Sequence, residues 1–160
     1  MQGDPKVIDF LNQALTNELT AVNQYWLHYR ILHHWGVHKL AAFERHESID
    51  EMKHADRLAD RILFLDGLPN FQAIGRLKIG ETVEEILRAD LALEMEAIPL
   101  LKDAVAHAET VRDFVSRELF ADILANEEEH VDTLETQFEM IARMGLENYV
   151  QLQSNAAEGD

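Results

Sequence analysis

The amino-acid sequence predicts an all-α protein: a four-helix bundle with one long crossover connection and a short fifth helix near its C-terminal end. Gly and Pro number only seven and three in 160 residues, so long stretches rich in Ala, Leu, Glu and Arg contain no helix breaker. Apolar residues recur at three- and four-residue steps in four of these stretches. We place residues 1–153 in a single domain and expect residues 154–160 to form a disordered tail.

The first two helices are separated only by Trp35-Gly36-Val37, a break short enough for an antiparallel pair. The first is expected from Pro5, a residue suited to a first helical turn, to about His34. The second is expected from about His38 to Leu65. The positions expected to face inward are Val7, Leu11, Leu15, Val22, Tyr25 and Tyr29 in the first helix and Leu40, Phe43, Leu58, Ile62 and Leu65 in the second.

The next segment, from Asp66 to Glu81, has no helical pattern and is long for a connection in a compact bundle. Its reach of roughly 50 Å exceeds the length of the second helix, which is roughly 42 Å. It can therefore carry the chain back along the whole bundle, so that the third helix starts parallel to the second. Four helices with one such crossover form the ferritin-like arrangement.

The third helix is expected from about Thr82 to Val111, with a kink at Pro99, because a proline inside a helix removes one backbone hydrogen bond. Asp113 suits the N-cap of the fourth helix, and Gly145 suits a left-handed cap at its end. A short fifth helix is expected from Leu146 to about Gln153. The inward apolar positions are Val83, Ile86, Ala97, Leu101 and Ala108 in the third helix and Phe120, Ile123, Leu134, Phe138 and Ile141 in the fourth.

Acidic and imidazole residues interrupt the apolar stripes at mid-length. They are Glu18, Glu51, His54, Glu94, Glu127 and His130. In each Glu-x-x-His pair the His lies one turn after its Glu, on the same helix face. Glu18 and Glu94 each precede such a pair by 33 residues, so the last three residues follow the first three at a constant offset of 76. One Glu-x-x-His is a weak signal in a Glu-rich chain, but the common offset indicates a duplicated metal site.

Four inward carboxylates are stable together when cations neutralise them. Two Fe(II) ions carry four positive charges, which the four carboxylates cancel. Two single Glu residues with two Glu-x-x-His pairs are the ligands of ferritin-like di-iron and di-manganese proteins. By the symmetry of the repeat, Glu51 and Glu127 are expected to bridge the two ions. The terminal ligands are then Glu18, His54, Glu94 and His130. The alternative, surface salt bridges, is disfavoured because all six lie on inward stripes.

Composition excludes several classes of protein. A formal net charge of −16 argues against binding to nucleic acid or to an anionic membrane surface, since both need Lys and Arg. No apolar run approaches the ~20 residues that cross a bilayer, and the N-terminal residues lack the pattern of a signal peptide, so a cytoplasmic protein is expected. The chain has no Cys, so any metal is expected to be held by oxygen and nitrogen.

Several segments resemble those of the bacterioferritins, and together they span essentially the whole chain. They include Met1-Gln2-Gly3, Leu19-Thr20-Ala21, Gln24-Tyr25, Glu51-Met52-Lys53-His54-Ala55-Asp56, Arg61 to Pro69, Ala89-Asp90-Leu91 and Ala142 to Tyr149. The resemblance implies a shell of 24 subunits that oxidises Fe(II) with dioxygen or hydrogen peroxide, at two iron ions per subunit, and stores the ferric mineral. It also implies haem b shared between two subunits and an electron-donating ferredoxin.

The resemblance also assigns roles on the second helix. Met52 matches the haem ligand; it lies about 100° around the helix from Glu51 and so faces sideways, toward a neighbour. His46 and Asp50 correspond to an iron site on the inner surface of the shell. The plainer alternatives are a Met packed in a subunit interface and an exposed polar pair. Tyr25 either serves the site, by hydrogen-bonding a ligand carboxylate or donating an electron, or is a core tyrosine.

Other functions remain as alternatives. A ferritin-like di-metal oxidase or catalase that does not store iron would form a small oligomer without a mineral cavity. A helical haem or interaction protein with an inactive metal site would be favoured by the loss of a ligand, and none of the six is missing. The lack of Cys excludes a rubredoxin-linked peroxidase. A DNA-coating mini-ferritin is disfavoured because its metal sites lie between subunits.

Overall fold

The structure, a computed structural model, describes residues 1–155, in which five helices form. They are α1 (Pro5–His34), α2 (His38–Phe64), α3 (Val83–Thr110), α4 (Phe114–Met144) and α5 (Leu146–Gln153). The predicted helical fold is confirmed, with ends shifted by one residue at most. Within the described residues no helix combines the length and apolar character that a bilayer crossing requires. Of the tail expected to be disordered, residues 156–160 lie outside the described part of the chain.

Side-chain caps explain where the helices begin. Asp4 accepts hydrogen bonds from two backbone N–H groups of the first turn of α1, and Pro5 follows it as expected. Asp113 caps α4 as predicted, accepting from Ser116 N at 3.0 Å. The expectation for Gly145 needs correction. Its φ of 84° is positive, but its ψ of 151° is extended and lies outside the left-handed helical region, because the residue also starts α5.

The apolar core lies in two clusters toward opposite ends of the bundle, with polar residues between them. One cluster includes Leu11, Leu58 and Phe120, and the other includes Leu32, Ile86 and Leu134. Most of the predicted inward positions are buried. Five are only half-buried, namely Val22, Tyr29, Phe43, Phe138 and Ile141. The helical stripes therefore located the core correctly and overestimated its width near the α1–α2 turn and the end of α4.

The crossover segment, residues 65–82, runs along α1 in the direction of that helix. Its backbone N–H groups donate to a series of α1 side chains, beginning with Asn70 N to Asn12 Oδ1 at 2.8 Å and ending with Gly80 N to His28 Nε2 at 3.1 Å. Between these, Gly75 N and Lys78 N donate to Thr20 Oγ1 and Gln24 Oε1. The chain thus returns along the bundle, as its length predicts, and α3 starts parallel to α2.

Helix α3 is continuous through Pro99, which is exposed. The backbone carbonyl that a proline at this position leaves without an N–H partner belongs to Met95, whose side chain is also exposed. Because the lost hydrogen bond falls on the solvent side, the inward face of α3 is preserved. Glu94 accordingly stays buried at the centre of the bundle.

Candidate metal centre

The structure brings together all six residues that the repeat singled out, and we refer to them as the six-residue centre. They form two overlapping groups, and within each group the potential ligand atoms lie within 4.8 Å of one another. The groups are Glu18, Glu51, His54 and Glu127, and Glu51, Glu94, Glu127 and His130. Glu51 and Glu127 belong to both, which is the arrangement that bridging carboxylates require. Each of the six residues is at most 7% exposed.

Both imidazole rings present Nδ1 to the carboxylates. His54 Nδ1 lies 3.6 Å from Glu18 Oε2 and 3.4 Å from Glu51 Oε2. His130 Nδ1 lies 3.1 Å from Glu51 Oε1 and 3.5 Å from Glu94 Oε1. Two ligands of one cation have such separations when each is about 2.1 Å from it and the angle between them is about 90–120°. The centre therefore has the spacing of two adjacent cation positions.

Electrostatics make the centre costly without cations. Both oxygens of Glu51 and the Nδ1 atoms of His54 and His130 are buried and have no hydrogen-bond partner within residues 1–155. Burial raises the pKa of Glu18 well above its usual range and that of Glu94 to about 7. Burial acts the same way on Glu51, but hydrogen bonds from Glu18, His130 and His54 hold the pKa of Glu51 below its usual range. Protons thus occupy part of the site until cations displace them.

The two halves of the centre are supported differently. Tyr25 Oη donates a hydrogen bond to Glu94 Oε1, and His130 Nε2 lies 2.7 Å from Glu47 Oε2. Tyr25 thereby makes the contact with a ligand carboxylate that the sequence offered as one of its roles. The positions related to Tyr25 and Glu47 by the offset of 76 residues are Leu101 and Ile123, which are apolar and buried. The repeat therefore duplicates the ligands and leaves their outer supports unduplicated.

The other predicted site residues lie on α2, outside the six-residue centre. Met52 is 45% exposed, consistent with its expected sideways direction. His46 Nδ1 lies 3.4 Å from Asp50 Oδ2 and 3.8 Å from Glu47 Oε1, so the pair forms a further group with Glu47 as its third member. The two oxygens of Glu47 thus face His46 on one side and His130 on the other. This link between the exposed pair and the buried centre was not predicted.

A buried group that the sequence did not reveal lies beside the centre. His28, Glu44 and Asp90 are each fully buried, and their ligand atoms lie within 4.8 Å of one another. Helical spacing contained one signal, since Glu44 lies on the same α2 face as Glu47 and Glu51. Asp90 was already expected to face inward. The involvement of His28 depends on contacts among α1, α3 and the crossover segment, which spacing within one helix does not show.

Comparisons with known proteins give one consistent family. A family model described as a ferritin-like domain matches residues 8–144. A bacterioferritin of Brucella melitensis is 51% identical over 160 residues, which cover 100% of this chain and 98% of that protein. A bacterioferritin of Mycobacterium tuberculosis is 50% identical over 149 residues, covering 93% and 94% of the two chains. One from Streptomyces coelicolor is 49% identical over 150 residues, covering 94% and 90%.

Proposed function

We propose, since the chain belongs to the bacterioferritins of the ferritin-like family, that it stores iron by oxidising Fe(II) at the six-residue centre and retaining the ferric product. The observation that carries this proposal is the convergence of four buried carboxylates and two imidazoles from four helices. Their charges balance two divalent cations, and their spacing suits two adjacent positions. Dioxygen or hydrogen peroxide is the oxidant that accepts the electrons.

Each residue of the centre has a role in this proposal. Glu51 and Glu127 span both cation positions, because each belongs to both ligand groups. Glu18 with His54 completes one position, and Glu94 with His130 completes the other. Glu94 releases its proton when the cation enters, since its carboxyl has a pKa of about 7 in the empty site. The Tyr25 hydroxyl keeps Glu94 directed into the centre.

The decisive experiment is aerobic oxidation of Fe(II) added to metal-free protein. His130→Ala is expected to lower the initial oxidation rate at least about 100-fold, because it removes a ligand, and even outer partners of metal ligands are worth roughly 10–100-fold. His34→Ala is the matched control, because His34 is exposed on α1 away from the centre. An unchanged rate in His130→Ala would reject the di-iron assignment.

Haem b is the second proposed cofactor, with one Met52 from each of two subunits as its ligands. An exposed thioether next to the buried Glu51 fits this role, since Met is a known haem ligand that raises the reduction potential. Bound there, haem would carry electrons across the subunit. Met52→Leu is expected to abolish haem absorbance, whereas Met95→Leu, which changes an exposed Met next to Glu94, is expected to leave it unchanged. Haem retained by Met52→Leu would contradict the assignment.

Assembly distinguishes iron storage from the alternative of a non-storing di-metal oxidase. A shell of 24 subunits is expected in sizing and native-mass measurements, and a small oligomer would favour the oxidase. His46 and Asp50, with Glu47 linking them to the centre, are the proposed iron site on the inner surface. In that case His46→Ala slows mineral growth after the first Fe(II) ions are oxidised. A cytoplasmic location and a ferredoxin as electron donor remain predictions.

A further inference from the structure

A second polar group lies beside the six-residue centre, and the proposed oxidation makes no use of it. We call it the Glu44 cluster and define it as Gln24, His28, Glu44 and Asp90. All four side chains are fully buried. Glu44 is seven residues before Glu51 on α2, which is about 10 Å along the helix, and Asp90 is one turn before Glu94 on α3. The cluster is thus close to the centre and shares none of its six residues.

The hydrogen bonds of this cluster fix the direction of Asp90. Gly80 N–H donates to His28 Nε2, so the proton of the neutral ring is on Nδ1. His28 Nδ1 then donates to Asp90 Oδ1 at 2.8 Å, and Gln24 Nε2 donates to the same oxygen at 3.0 Å. Two donors therefore hold one oxygen of Asp90 and leave Oδ2 directed elsewhere.

Three carboxylate oxygens remain without any hydrogen-bond donor within the described residues. They are Glu44 Oε1, Glu44 Oε2 and Asp90 Oδ2. Such atoms are costly in a protein interior, where buried polar groups nearly always have a partner. The neighbouring positively charged group that would neutralise them is also lacking, because His28 is neutral in the tautomer that its contacts require. The cluster therefore calls for a proton or a cation.

The duplicated half of the bundle shows that the fold does not require polar residues at these positions. An offset of 76 residues relates His28 to Ala104, Glu44 to Phe120 and Asp90 to Ala14. All three counterparts are buried members of the apolar core. The same helical positions therefore pack well with apolar side chains in one half. This makes a purely structural role for the acids of the other half unnecessary.

We propose that the Glu44 cluster binds a divalent cation of the Fe(II) or Mn(II) type, held by both oxygens of Glu44 and by Asp90 Oδ2. Carboxylate oxygens suit such cations, and two carboxylates neutralise one divalent charge. His28 and Gln24 act as outer partners that orient Asp90, as is common for metal-ligating carboxylates. The site is additional to the six-residue centre and does not depend on the proposed oxidation.

The crossover segment contributes to this site through its backbone. A Cβ atom at Gly80 would lie 2.3 Å from Ile86 N, so only glycine allows the segment to approach α3 this closely. That approach places Gly80 N–H against His28, and Lys78 N–H against Gln24 Oε1. The two residues that hold Asp90 are therefore both positioned by residues 78–80.

The test uses crystals of the assembled, metal-free protein soaked in Mn(II), with anomalous scattering to locate the metal. Peaks are expected at the two positions of the six-residue centre and at a separate position between Glu44 and Asp90. Glu44→Gln, which keeps the shape of the side chain and removes its charge, is expected to eliminate only the separate peak. Glu135→Gln, at an exposed position of α4, is the control that leaves all peaks in place.

A solution measurement accompanies the crystals. Titration with Mn(II), followed by the electron paramagnetic resonance signal of the free ion, should show one equivalent fewer per subunit in Glu44→Gln than in the wild type. If Glu44→Gln does not fold, Asp90→Asn is the substitute, and the wild-type crystals decide the matter by themselves.

Each outcome separates this inference from the proposed function. Peaks in the six-residue centre with none beside Glu44 would overturn the inference and leave the proposed oxidation intact. In that case the infrared band of a protonated carboxylic acid, lost in Glu44→Gln, would identify a proton as the occupant. A peak beside Glu44 with none in the six-residue centre would support the inference and contradict the di-iron assignment. Peaks at neither place would reject both.

Discussion

The interior of the bundle on the two sides of the six-residue centre differs in chemistry, although the backbone positions correspond through the repeat. On one side, Leu101, Ala104 and Phe120 belong to a continuous apolar core. On the other side, the corresponding positions carry Tyr25, His28 and Glu44, all buried. The helices thus provide two equivalent spaces, and the side chains fill one with apolar groups and the other with polar groups.

This difference shows that stability and function place separate demands on the two halves. The apolar side contributes the hydrophobic stabilisation of a well-packed core. The polar side contributes less, because its acids are desolvated, and it supplies the outer contacts of Glu94 and His130. The repeat therefore has equal ligands and unequal surroundings, so its two metal positions are not chemically equivalent.

The largest effect expected from this comparison is on the stability of metal-free protein. Phe120→Ala is expected to lower the free energy of unfolding by about 3–5 kcal/mol, because it opens a cavity in the apolar core. Glu44→Leu, at the corresponding position, is expected to raise it by about 1–4 kcal/mol, because it replaces a buried acid that lacks a partner. Urea denaturation measures both changes. A Glu44→Leu protein as unstable as Phe120→Ala would break the comparison.

A pH series sharpens the comparison, with an effect on the order of 3 kcal/mol. Burial raises the pKa of Glu94 to about 7, above its unfolded value of 4.5. Between these values the folded state binds more protons than the unfolded state, so the stability of metal-free protein falls as pH rises from 5 to 7. Burial raises the pKa of Glu18 and Glu44 as well, which acts in the same direction. Glu51 does not oppose this, because its lowered pKa acts below pH 4.5.

Denaturation of metal-free protein at pH 5 and pH 7 tests this prediction. Glu94→Gln, which cannot titrate, should reduce the difference between the two pH values, and saturation with Mn(II) should restore stability at pH 7. Equal or greater stability of the metal-free wild type at pH 7 would contradict it.

The smallest expected effect concerns the inequality of the two metal positions. Tyr25→Phe and Glu47→Gln are each expected to weaken Co(II) binding at the Glu94–His130 position about 10-fold, because each removes an outer partner of a ligand. The Glu18–His54 position should keep its affinity. Visible absorbance of Co(II) during titration follows both binding events.

Matched changes on the apolar side serve as controls here. Leu101→Met and Ile123→Val lie at the positions that correspond to Tyr25 and Glu47, and neither carries a polar group to lose. Both are expected to leave the two affinities unchanged. Equal weakening at both positions in Tyr25→Phe would show that the outer contacts do not distinguish them.

Features that depend on neighbouring residues in the chain were predictable from the sequence. Asp113 caps its helix because the side chain reaches an N–H group three residues ahead, which is a local contact. The identity of the six-residue group was also predictable, because a constant offset and helical spacing set all six on inward stripes. The crossover followed from its length alone. The extended ψ of Gly145 was missed, since it results from the start of α5 immediately after α4.

By itself, then, the sequence determined the helices, their order, and which six residues point toward the centre of the bundle. Only the tertiary structure decided which side chains surround that centre. The Glu44 cluster exists because α1, α2, α3 and the crossover segment meet at one place, and its residues are up to 62 positions apart in contacting pairs. Helical periodicity is a property of one segment, whereas the desolvation of Glu44 and the contacts of Asp90 arise from several segments packed together.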